Sequence, residues 1–91
     1  MNRSEVIEKI ARETGIQKKD VTVVVEGFLS VLTESLEKTD KVDLRGFGTF
    51  KVDERKARKA RNPRTGAEVY VPAKKVPVFR PSRDLKERVN K

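Results

Sequence analysis

Ten consecutive residues, Arg55 to Arg64, carry six basic side chains (Arg55, Lys56, Arg58, Lys59, Arg61 and Arg64) and no acidic one. Such a stretch cannot join an apolar core, because burying an unpaired ammonium or guanidinium group costs far more than its aliphatic stem returns. It must stand in water or against an anion. Yet it is more organised than a charge tail. Asn62-Pro63-Arg64-Thr65-Gly66 is turn chemistry, with Pro suited to the second turn position and Gly able to take positive φ. Val69, Tyr70 and Val71 then have high β propensity on the return. A two-stranded ribbon over residues 54–73, projecting from a small body, satisfies all of these features. A solvated basic loop is the plainer alternative. Pro63 has two readings, as a turn former that sets φ or as an apolar wedge at the tip of a charged arm that enters a base step.

The rest of the chain must then fold on little. Of 91 residues, 35% are hydrophobic and 40% charged, and an external arm leaves a body of about 65 to 70 residues, where one core seldom gives more than a few kcal/mol. Dimerisation is the expected remedy. With no cysteine and no histidine, disulfide staples, thiolate zinc sites and the commonest catalytic base are all missing. The expectation is therefore a chain that is not an enzyme and uses no cofactor, metal or small-molecule substrate. The polar start Met-Asn-Arg-Ser-Glu-Val and the lack of a long apolar run argue against secretion and membrane insertion, hence a cytoplasmic location. Net charge divides sharply: residues 1 to 40 hold six Lys/Arg against eight Asp/Glu, whereas residues 41 to 91 hold sixteen against six. Nucleic acid is the leading partner for that second half.

Asn2 followed by Glu5 has N-cap spacing, and Val6, Ile7, Ile10 and Ala11 share a helical face until Gly15 offers a left-handed stop. From about Lys18 to Leu36, Val21, Val24, Val25, Phe28, Leu29, Leu32 and Leu36 predict a longer amphipathic helix, with Gly27 either a close helix contact or of no special meaning. The period then becomes two. Val42 and Leu44, a turn at Gly46-Phe47-Gly48, and Phe50 and Val52 predict a hairpin. Gly46-Phe47-Gly48 lacks the rest of any phosphate-cradle pattern and is better read as a tight turn presenting Phe47 to the core. Val76, Val78 and Phe79 predict a third strand, with Pro77 marking an edge and Pro81 a stop. Ser82 caps a final helix, Arg83 to Asn90, whose inward face is only Leu85 and Val89.

The opening Met-Asn-Arg-Ser-Glu-Val-Ile, the Gly46-Phe47-Gly48-Thr49-Phe50 turn, the Arg61-Asn62-Pro63-Arg64-Thr65-Gly66 tip and the Val76-Pro77-Val78-Phe79-Arg80-Pro81 return, in that order, resemble the bacterial histone-like HU and integration host factor family over essentially the whole chain. The resemblance implies an α+β fold: an intertwined dimer with two N-terminal helices, a three-stranded antiparallel sheet with an extended β-ribbon arm, and a short C-terminal helix. It implies one domain, residues 1–91, divided into a helical dimerisation part (1–40), the sheet (41–81) with its arm (54–73), and the last helix (82–91). It further implies duplex DNA as partner, gripped in the minor groove and bent with low sequence specificity, in the bacterial nucleoid.

Carried over by residue, Pro63 matches the family's intercalating tip. Arg55, Lys56, Arg58, Lys59, Arg61, Asn62, Arg64, Lys74 and Lys75 form the DNA-binding arm. Arg3, Lys18, Arg80, Arg83 and Lys86 would hold flanking phosphates, and Phe28, Phe47, Phe50 and Phe79 would form the dimer core. Ala60 and Ser82 depart from the glycines many relatives have there. Asp43 and Arg45 look more like one subunit type of integration host factor, which leaves open a site-preferring role and a heterodimer in place of a homodimer. An RNA-binding module is a further alternative, disfavoured because aromatics are only 5% of the chain.

Overall fold

The computed structural model describes all residues from Met1 to Lys91. They group into two compact units, residues 1–34 and 35–91. The first unit holds helix α1 (Arg3–Thr14) and most of helix α2 (Lys18–Glu37). The Asn2 side chain accepts the Glu5 N–H at 2.9 Å, and Gly15 closes α1 at φ 75 with its own N–H on the Ala11 carbonyl, as the cap spacing predicts.

Helix α2 ends less comfortably. The Asp40 N–H bonds the Ser35 carbonyl at 2.9 Å and the Thr39 N–H bonds the Leu36 carbonyl at 3.0 Å, the two bonds of a Schellman motif. The left-handed position in that motif belongs to Thr39, at φ 64, where a β-branched residue is strained and glycine is usual. Thr39→Gly is expected to stabilise the fold by about 0.5–1 kcal/mol, the left-handed penalty less the extra entropy glycine loses on folding. A higher urea midpoint at unchanged slope checks this.

The second unit is built on a three-stranded antiparallel sheet in the order β1 (Val42–Leu44), β2 (Gly48–Arg55), β5 (Lys74–Pro81). A second, two-stranded sheet pairs β3 (Arg58–Arg61) with β4 (Glu68–Val71). Strand β5 lies at an edge, which tolerates Pro77 opposite Val52, and it ends at Pro81. Helix α3 (Arg83–Val89) starts from Ser82, whose Oγ accepts the Leu85 N–H at 3.1 Å. Leu85 is half-buried but Val89, in the final turn, is exposed, so the inward face predicted for this helix is one residue rather than two.

Of the two glycines that bracket Phe47, only Gly46 uses its backbone freedom, at φ 83. Gly48 is required for space. A Cβ there would lie 2.5 Å from the Phe79 ring and 2.6 Å from the Arg80 carbonyl oxygen. Phe79 fills the gap that the missing side chain leaves, with ring centroids 5.3 Å from Phe47 and 4.7 Å from Phe50.

The chain by itself has almost no core. Ile7 and Val21 are its only buried apolar side chains. Phe28, Phe47 and Phe79 remain 47%, 46% and 37% exposed, and Val24 and Val31 are exposed on α2 beside Phe28. The helical stripe predicted as one face is in fact two. Val21, Val25, Leu29, Leu32 and Leu36 are buried or half-buried within the chain, whereas Val24, Phe28 and Val31, at i, i+4, i+7, form a second stripe that the chain leaves bare.

Candidate nucleic-acid interface

Strand pairing determines which side chains share a face. In the β2–β5 register, Thr49, Lys51, Asp53 and Arg55 stand opposite Arg80, Val78, Val76 and Lys74, and these pairs share one face of the sheet. The other face carries Phe50, Val52 and Glu54 with Phe79, Pro77 and Lys75, joined by Val42 and Leu44 of β1. One side is therefore apolar near its base, and the other is polar with an excess of cations. Lys51 is an addition that sequence reasoning missed. It shares the parity of Arg55, and pairs with Asp53 at 3.3 Å.

The basic run continues outward. Arg55 is opposite Lys74, and three residues further along each strand Arg58 is opposite Val71. Between them Lys56–Ala57 and Pro72–Ala73 leave the ladder, so the single long ribbon expected from the sequence is interrupted. Pro72 has no N–H to donate and accounts for part of the break. Because the same number of residues is skipped on both strands, the pairing offset is the same on both sides of the break. An open cleft at the break is lined by Arg55, Lys56, Arg58 and Lys74, with Val71 and Pro72 as apolar walls.

Beyond it, Lys59 and Arg61 lie opposite Tyr70 and Glu68 on one face, while Arg58 and Ala60 lie opposite Val71 and Val69 on the other. Arg58 and Arg61, three residues apart, thus point to opposite sides. Arg55, Lys56, Arg58, Lys59, Arg61 and Arg64 are all exposed, as are Lys74 and Lys75. Lys75 stands apart from the other arm cations: it shares the apolar parity with Phe79, and its Nζ donates to Thr39 Oγ1 at 3.3 Å.

The tip is closed by its own residues. The Asn62 N–H donates to the Ala67 carbonyl and the Gly66 N–H to the Asn62 carbonyl, both at 2.8 Å. Asn62 Oδ1 accepts the Arg64 N–H at 2.9 Å, and Thr65 Oγ1 accepts the Ala67 N–H at 3.3 Å. Gly66 supplies the positive φ, 72, that the turn needs. Pro63 is left exposed at the end of the arm, on a loop braced by the Asn62 and Thr65 side chains.

The remaining cations are distributed over both units. Arg3 and Lys18 belong to the helical unit, Arg3 in an ion pair with Glu26 at 3.6 Å. Arg80, Arg83 and Lys86 belong to the sheet unit, where Arg83 Nε donates to Glu87 one turn along at 3.1 Å. Solvent-exposed pairs of this kind contribute about 0–1 kcal/mol, so neither carboxylate prevents its partner from taking up a phosphate.

A cationic ribbon that no acidic layer covers, ending in a braced apolar tip, is suited to an extended polyanion rather than to a small molecule. The molecule offers no His/Cys/Asp/Glu grouping able to hold a metal ion, and no helix long and apolar enough to cross a membrane.

Comparison with known proteins agrees in sequence and shape. The family model described as Bacterial DNA-binding protein matches residues 1–90. The DNA-binding protein HU of Geobacillus stearothermophilus is 51% identical over 89 residues, covering 98% of this chain and 99% of that protein. A prophage-derived HU of Bacillus subtilis is 46% identical over the same length, covering 98% and 97%. Among solved structures, an Anabaena HU–DNA cocrystal structure matches with TM-score 0.88 at 37% identity, covering 98% of this chain and 97% of the other. HU from Thermotoga maritima matches with TM-score 0.72 at 34% identity, covering 98% of both chains.

Proposed function

Because this chain belongs to the bacterial DNA-binding protein family, we propose that it is a histone-like architectural protein that binds double-stranded DNA in the minor groove, bends it and compacts it with low sequence specificity. The observation that carries the reading is the arm: exposed cations on paired strands that keep the same offset across one break and end in a braced tip with Pro63 at its end. The similarity to a chain solved as an HU–DNA cocrystal supports the same partner. The working unit is a homodimer in the bacterial nucleoid. A chain with two buried apolar side chains and an open stripe of Val24, Phe28 and Val31 gains its missing core only from a second copy. Within that unit the three parts have separate tasks: residues 1–40 dimerise, 41–81 form the sheet with its arm at 54–73, and 82–91 close the end.

The division of labour follows from the chemistry. The arm cations, Arg55, Lys56, Arg58, Lys59, Arg61, Arg64, Lys74 and Lys75, displace counterions and supply affinity that is blind to sequence. Asn62 holds the tip, and Pro63, compact and without an N–H, enters a base step and opens it. Arg3, Lys18, Arg80, Arg83 and Lys86 take phosphates of the flanking duplex once it bends. Phe28, Phe47, Phe50 and Phe79 form the core that the two copies share.

Affinity and curvature therefore belong to different residues. Pro63→Ala is expected to reduce the bend angle measured by energy transfer between duplex ends, while low-salt affinity stays within about tenfold of the unsubstituted protein, because the wedge deforms and the cations bind. Equal bending by the variant would remove the wedge from the mechanism.

A further inference from the structure

Every apolar side chain of the outer ribbon but one lies on the same face. Ala60, Val69 and Val71 share the face of Arg58; Tyr70 alone stands on the other, directly opposite Lys59 and diagonal to Arg61. Inside the break the pairing offset is the same, and the larger sheet gathers its own cations, Arg55, Lys74, Lys51 and Arg80, on one face. Tyr70 is 68% exposed, the most exposed aromatic ring of the molecule, in a chain with five aromatic residues. A ribbon this thin needs β formers, but a need for β propensity alone does not select a broad amphipathic ring for the polar face of the arm, which Tyr70 shares with Lys59, Arg61 and Glu68. A flat body with a polar end, directly across from one phosphate-seeking cation and diagonal to a second, matches the wall of a groove, where sugar carbons alternate with backbone oxygens.

We propose that Tyr70 is a DNA contact of the arm, its ring packed on a deoxyribose of the groove wall between the phosphates held by Lys59 and Arg61. This rests on the reading of the arm as a duplex-binding element and adds an uncharged contact to it. The position along the groove is also determined. Tyr70 is opposite Lys59, three residues before the turn begins at Asn62, so at about 3.3 Å per residue the ring lies about 10 Å from the start of the turn.

The uncharged nature of the contact gives it a signature that the cations cannot mimic. A tyrosine releases no counterion, so its removal lowers affinity equally at every salt concentration and leaves the slope of log affinity against log salt unchanged. The test titrates a labelled nicked duplex with the full-length protein and with Tyr70→Val and Tyr70→Phe over a range of KCl concentrations. Valine keeps the β propensity that the ribbon needs while removing the ring. Tyr70→Val is expected to bind about fivefold to tenfold more weakly at unchanged slope, the low end of an aromatic contact to nucleic acid, and Tyr70→Phe to recover most of that deficit.

Because the chain has one tyrosine, protein labelled with 3-fluorotyrosine gives a single fluorine resonance, expected to shift on saturation with the duplex. Undiminished binding by Tyr70→Val, a changed salt slope in that variant, or a fluorine line that does not move at saturation overturns the assignment while leaving the arm's role intact. Failure of the unsubstituted protein to bind the duplex overturns both.

Discussion

Phe79→Ala is expected to lower the free energy of unfolding by about 3–5 kcal/mol, a large share of what a domain of this size possesses. The ring lies against both Phe47 and Phe50 and fills the space that Gly48 leaves by having no side chain. Removing it opens a cavity that no neighbour can close, since Phe47 approaches it from the turn before β2, Phe50 from β2 itself, and Gly48 has nothing to extend. The effect reaches beyond one chain. Phe79 is still 37% exposed in the single subunit, and on the proposed reading a second copy covers that surface, so folding and association are expected to fail together. Denaturant unfolding followed by circular dichroism, with both proteins at the same concentration, measures the loss; a change below about 1 kcal/mol would mean that Phe79 is peripheral to the core.

The second large effect is on DNA rather than on the fold. Arg58→Ala together with Arg61→Ala is expected to reduce the magnitude of the salt slope by about 3.6, at about 0.9 for each of the two phosphates that either subunit of the dimer no longer neutralises. Measured from a reference of 1 M salt, that slope change corresponds to a loss of affinity on the order of 4,000-fold at 0.1 M. The contributions should be additive. Arg58 and Arg61 project from opposite faces of the ribbon, so they reach different phosphates and neither replaces the other. Both are exposed, and the substitutions leave the unfolding transition almost unmoved. An unchanged slope would show that the arm's guanidinium groups do not touch the DNA backbone.

Much of this architecture was legible in the sequence, and for a common reason. Asn2 with Glu5, Ser82 with Leu85, Gly15, and the Asn62-to-Gly66 tip are closed by hydrogen bonds that span two to five residues, so residue type and spacing carry nearly all of the information. The charge partition is equally local to the chain. So is the exclusion of Arg55–Arg64 from any core, because no packing could have repaid the desolvation of six cations. Those features were enough to expect an arm and to name its partner class.

Pairing between distant residues decided the rest. Whether Lys51, Tyr70 or Lys75 shares a face with other cations of its sheet depends on the register of β2 with β5 and β3 with β4, and a shift of one residue would have reversed every assignment. The space that excludes a side chain at Gly48 exists only because Phe79, thirty-one residues later, fills it. Periodicity drew α2 with a single apolar stripe, but it cannot say which part of a stripe the same chain covers; Val24, Phe28 and Val31 are left open because this subunit has too few apolar residues to close over them. Short-range hydrogen bonding and solvation are written in neighbouring letters, whereas face, fit and coverage are properties of surfaces that exist only after the chain has come together.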